Sequence, residues 1–87
     1  MKVWITKYAL TRGIEKITSD DVSRMFIAKN GDLVMYGKSS MFPVSYTQYN
    51  YSLDKQSAIQ KAEEMRQKKI ASLKKQIEKL EGMRFEL

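Results

Sequence analysis

The sequence predicts an α+β fold, a small antiparallel β-sheet of four or five strands followed by one long C-terminal helix. Three observations carry this expectation. The chain changes character near Asp54, with three of the four glycines (Gly13, Gly31, Gly37) and the only proline, Pro43, before it. An Asn-Gly pair, Asn30-Gly31, stands between two largely apolar runs. After Asp54 a stretch rich in Ala, Glu, Lys, Gln, Met and Leu continues to Gly82. A curl of the sheet toward an SH3-like barrel is one arrangement open to it. At 87 residues the chain is expected to form a single domain, with a sheet part over 1–53, a helix over 54–82 and a tail over 83–87.

Along Lys2–Leu10, Val3, Ile5, Lys7 and Ala9 alternate with Trp4, Thr6, Tyr8 and Leu10, a pattern that predicts a first strand covered on both faces. Thr11-Arg12-Gly13 supplies a turn. Ile14–Thr18 then reads as a short edge strand closed by the turn chemistry of Ser19-Asp20-Asp21. Val22–Ala28 and Leu33–Gly37 read as a hairpin in which Asn30-Gly31 takes the two positive-φ positions of a type I′ turn and Lys29 faces Asp32. Lys38–Ser45 has no clean period and reads as a loop with Phe42 tucked inward. Tyr49 and Tyr51, two apart, are expected to share one face of a last strand.

Asp54 is the expected N-cap of a helix over Lys55–Glu81, with Gly82 as the C′ residue. Such a helix is about 40 Å long against about 17 Å for a five-residue strand, so it is expected to outrun the sheet. Its apolar positions Ile59, Ala62, Ile70, Leu73, Ile77 and Leu80 lie within about 80° of one another. Ile70, Leu73, Ile77 and Leu80 follow the a/d spacing of two heptads. Paired in parallel, this seam sets Lys69 against Lys74; paired antiparallel, it sets Lys74 toward Glu81. The expected partner is therefore a second copy in antiparallel orientation, with packing on the chain's own sheet as the other reading.

Composition narrows the chemistry. The chain has no cysteine and no histidine, which removes the thiolate nucleophile, the commonest general base and the commonest zinc ligands. Asp20 and Asp21 read as a turn rather than a Mg²⁺ site, and the glycines form no phosphate-binding loop. No enzyme activity, cofactor or metal is expected. With no long apolar run and no signal-peptide pattern at the N-terminus, neither a membrane span nor secretion is expected, and the expected location is cytoplasmic.

Sixteen Lys and Arg against ten Asp and Glu give a net charge of +6, which favours anionic partners. Lys61, Lys68, Lys75 and Lys79 fall within roughly 40° on the helix, opposite its apolar positions and turned from the core, where they form either a track for phosphates or a solvated face. Trp4, Tyr46, Tyr49 and Tyr51, with Arg66, are the candidate anchors for a protein surface or for bases.

The segments Val3-Trp4-Ile5-Thr6-Lys7-Tyr8-Ala9-Leu10-Thr11-Arg12-Gly13-Ile14, Ala58-Ile59-Gln60-Lys61-Ala62-Glu63-Glu64-Met65-Arg66 and Lys69-Ile70-Ala71-Ser72-Leu73-Lys74-Lys75-Gln76-Ile77 resemble small uncharacterised proteins encoded by bacteriophages and prophages. The resemblance covers the two ends of the chain and implies a context. Compact phage proteins of this size often act by binding and blocking host machinery, including CRISPR-type defence, so the resemblance makes an anti-CRISPR or other anti-defence inhibitor of a bacterial host protein or nucleoprotein the leading expectation. The positive charge departs from the acidic surface of DNA-mimicking inhibitors. A small basic protein binding DNA or RNA is the alternative, and an oligomeric structural adaptor is a third.

Overall fold

The computed structural model describes residues 1–86 and has the expected α+β character. The order is β1 (Lys2–Ile5), α1 (Ala9–Arg12), β2 (Glu15–Thr18), a 3-10 turn (Ser19–Asp21), β3 (Arg24–Ile27), β4 (Leu33–Tyr36), β5 (Pro43–Tyr46), β6 (Tyr51–Ser52) and α2 (Lys55–Glu81). The strands form two antiparallel three-stranded sheets, ordered β2-β1-β6 and β3-β4-β5, rather than one sheet of four or five. Strands this short bury too little as a single layer; two sheets packed together close one core between them.

Alternation decides which side chains enter that core. Val3 and Ile5 of β1 and Tyr51 of β6 meet Leu33 and Met35 of β4, with Ile17, Val22, Met25 and Tyr46 packed around them. Register places Tyr51 opposite Ile5 in one sheet, and Met25 and Val44 on either side of Met35 in the other. The Tyr51 hydroxyl also donates to the Gly31 carbonyl at 2.6 Å, tying the first sheet to the hairpin of the second.

Five local expectations are corrected. The first strand ends at Ile5; the backbone turns at Lys7-Tyr8 into α1, because the amides of Thr11 and Arg12 donate to the Tyr8 carbonyl, and Gly13 (φ 79°) leads out. The β3–β4 hairpin closes through a three-residue loop: Gly31 N–H donates to Ala28 C=O at 2.9 Å and Ala28 N–H to Asp32 C=O at 2.8 Å. Only Gly31 has positive φ, at 91°, so this is a tight turn followed by a glycine bulge rather than type I′, and Ala28, not Lys29, faces Asp32. Pro43–Tyr46 is not a loop but the edge strand β5, with proline at its first residue, where no ladder N–H is needed. Phe42 lies outside at 78% exposure, as does Tyr49, which sits in the turn before β6.

The 3-10 turn is held by a reciprocal cap. Thr18 donates from both its N–H and its hydroxyl to Asp21 Oδ2, and these bonds hold the Asp21 carboxyl below its ordinary pKa.

The helix begins and ends where its sequence signals stand. Asp54 Oδ2 accepts from Ser57 N–H at 3.0 Å, and Gly82 follows the last turn, though with φ −84° instead of the left-handed conformation of a C′ glycine. Its first turns lie against β1, β6 and α1, with Ala58 fully buried. From Arg66 to Glu81 every residue is exposed. The chain measures 61 × 29 × 24 Å with a radius of gyration of 18.1 Å, against about 12 Å for a compact chain of this length. The expected tail over 83–87 is described as far as Glu86; Leu87 lies outside the described residues. No helix among the described residues is long and apolar enough to cross a membrane.

Candidate functional site

The projecting half of α2 sorts its side chains onto distinct faces. At about 100° per residue, the residues that turn to the β part (Ala58, Lys61, Ala62, Met65) centre on one direction, and Ile70, Leu73, Ile77 and Leu80 centre about 90° round from it. The apolar seam is therefore not a continuation of the face that packs on the sheet. Its side chains are 38%, 43%, 53% and 67% exposed in chain order, rising with distance from the β part. One heptad earlier the same two positions hold Glu63 and Arg66, whose side chains pair at 2.7 Å. The apolar track thus begins at Ile70 and is closed by charge on its N-terminal side.

Lys68, Lys75 and Lys79 lie about 160° from the seam, exposed and without an ion-pair partner among the described residues. Lys61 departs from them. Rather than facing away from the core, it is half-buried at the base of the helix, and its ammonium donates to the carbonyls of Gln48 (2.9 Å) and Tyr51 (2.5 Å). Those carbonyls belong to the turn before β6 and to β6 itself, so Lys61 fastens the helix to the first sheet. Lys61→Met is expected to lower stability by about 1–2 kcal/mol, whereas Lys75→Met leaves it unchanged. Urea midpoints of the two variants check this contrast.

The aromatic candidates are scattered. Tyr51 is buried in the core and Tyr46 half-buried beside it, Trp4 is half-buried on the opposite face of β1, and Tyr49 alone is freely exposed. They form no common surface. Burial pushes the Tyr46 phenol above its ordinary pKa; Tyr8 and Glu15 add to the shift and Arg12 opposes it. Tyr8, Arg12 and Glu15 also line a cleft of about 290 Å³ with Ile5, Gly13 and Ile14, where the Arg12 guanidinium stacks 4.1 Å from the Tyr8 ring centre.

The outer face of the second sheet was not legible as a surface from the sequence. Register sets Phe26 beside Val34 and Arg24 beside Tyr36, with the Arg24 guanidinium 4.7 Å over the Phe26 ring. The signal was the alternation of Arg24 and Phe26 with Met25 and Ile27, which fixes opposite faces once the hairpin is paired. Among the described residues no cluster of acidic side chains is arranged to hold a metal ion.

No protein-family model matches the chain, and neither a curated protein nor a solved structure is found similar to it. The class is thus defined by architecture: a small two-sheet β body bearing a long exposed amphipathic helix.

Proposed function

We propose that this chain is a non-catalytic binding protein whose β body is a platform and whose projecting helix is the contact element. The observation that carries the reading is the sixteen-residue stretch Arg66–Glu81, exposed throughout, with an apolar seam on one side and free lysines on the other. A helix that only completed its own core would end with the sheet. The resemblance to phage and prophage proteins supports a bacterial host protein or nucleoprotein as the target, a component of a CRISPR-type defence being one such target. Affinity capture from a nuclease-treated bacterial lysate tests this. The expected result is one protein enriched by wild type and lost when Lys68, Lys75 and Lys79 are changed to Gln together with Leu73→Glu. No enrichment above a bead control overturns the reading.

The unpaired lysines favour a second reading, contact with DNA or RNA phosphates. It makes a sharper prediction than composition did, because Lys61 is committed to backbone carbonyls and leaves three charges in place of four. Changing Lys68, Lys75 and Lys79 to Gln is expected to reduce the slope of log K against log salt on duplex DNA by about three. Absence of nucleic-acid binding by wild type at low salt removes this reading.

A further inference from the structure

We propose that the cleft lined by Tyr8 and Arg12, at the two ends of α1, and by Glu15 of β2 binds a small zwitterion, an α-amino acid with an aliphatic side chain, its carboxylate held by the Arg12 guanidinium, its ammonium by the Glu15 carboxylate and its side chain against Ile5 and Ile14. This site lies in the β body and goes beyond the reading of α2 as the contact element.

Register places the anion. Glu15 stands directly opposite Ile5 in the β1–β2 pair, and residues opposite one another share a face, so its side chain leaves on the side of the first sheet that Val3, Ile5 and Ile17 turn to the core. Such a position is costly for a charge in mid-strand, but Glu15 is the first residue of an edge strand and is exposed, at a margin of the core where it reaches water. Helix spacing places the cation. Arg12 follows Tyr8 by one turn, and its guanidinium stacks 4.1 Å from the ring centre; the Lys7 ammonium lies 5.5 Å from the same ring, but Lys7 does not line the cleft. Neither Arg12 nor Glu15 has an ion-pair partner among the described residues, and they do not pair with each other, although both line this one cleft. The Tyr46 phenol is near enough for Tyr8, Glu15 and Arg12 to act on it, and since burial raises its pKa it stays a hydroxyl at neutral pH, able to donate to a ligand.

Two unpaired charges of opposite sign beside apolar side chains select their ligand. A phosphate sets its negative charge against Glu15, a simple amine faces Arg12, and a neutral molecule leaves both charges unanswered. A zwitterion answers both, its carboxylate accepting from the guanidinium fork. At about 290 Å³ the cleft stands at the lower limit of the about 300–1,000 Å³ of small-molecule sites, which suits an amino acid rather than a nucleotide.

Titration of the isotope-labelled full chain with L-leucine, followed by NMR, tests the proposal. Two comparators each lack one charge: isocaproate has no ammonium and isoamylamine no carboxylate. Leucine is expected to shift the amide signals of residues 8–15 saturably in the millimolar range while those of residues 66–81 stay in place, and each comparator to bind about tenfold more weakly. Arg12→Gln and Glu15→Gln, both at exposed positions, are each expected to weaken leucine binding about tenfold with the rest of the spectrum unchanged. The Glu15→Gln variant carries a second readout that a merely structural role does not move. It is expected to bind isocaproate as well as leucine, since no carboxylate is left for the ammonium. No saturable shift with leucine, a comparator that binds wild type as tightly as leucine, or leucine binding unchanged in both variants overturns the proposal. None of these outcomes bears on α2, whose own variants test it separately.

Discussion

Leu33→Ala is expected to cost about 3–5 kcal/mol, enough to consume most of the about 4–13 kcal/mol that a chain of this length has in total. Leu33 is fully buried on the central strand β4, between Ile27 and Tyr46 in register and against Val3, Ile5 and Tyr51 of the facing sheet. Truncation opens a cavity where both sheets meet, and short strands on either side have little freedom to close it. Leu80→Ala removes the same atoms from an exposed helix position and is expected to change stability by less than about 0.5 kcal/mol. Urea denaturation followed by circular dichroism separates the two. Equal midpoints would show that Leu33 does not sit at the junction of the sheets.

Gly31→Val is expected to cost about 1–3 kcal/mol. Two causes act together. The backbone there has φ +91°, which a β-branched residue adopts only under strain, and an added Cβ lies 3.3 Å from Gln48 Oε1. Any shift of the turn also pulls the Gly31 carbonyl from the Tyr51 hydroxyl, so damage at the hairpin reaches the core. Asn tolerates positive φ better than valine, and Gly31→Asn is expected to lose less than half as much. Urea midpoints at constant slope measure both, and an undamaged valine variant would place the turn's strain elsewhere.

Legibility in the sequence followed how local the deciding physics was. The helix Lys55–Glu81 and its Asp54 cap were readable because caps and helix-favouring composition act over a few residues. The hairpin was readable for the same reason, but its turn type was not: Asn-Gly suits both a two-residue and a three-residue loop, and pairing with β5 and packing against Tyr51 select between them. The strand pattern over Lys2–Leu10 does not survive past Ile5, because local helical hydrogen bonds at Tyr8–Arg12 override it and Gly13 then ends them. β5 is not legible because Lys38–Ser45 taken as a whole has no clean period, although Val44 and Tyr46 alternate with Ser45. Within the candidate site, the seam and the outer lysines lie where spacing put them, since spacing alone fixes a helix face. Lys61 does not behave as its spacing suggests; a long side chain at the edge of the packed face reaches carbonyls that only the folded turn at Gln48 presents.

α2 is one helix in shape but two in persistence. Its first three turns are clamped by Ala58, Lys61 and the β body, and open only when the whole chain opens. The last sixteen residues have no such clamp, and an unsupported helix of that length is marginal in water. The clamped turns act as a preformed nucleus from which the remainder grows and retreats without paying for initiation. Whatever binds this half therefore meets a strand of helix already started in the right direction, and the act of binding completes it.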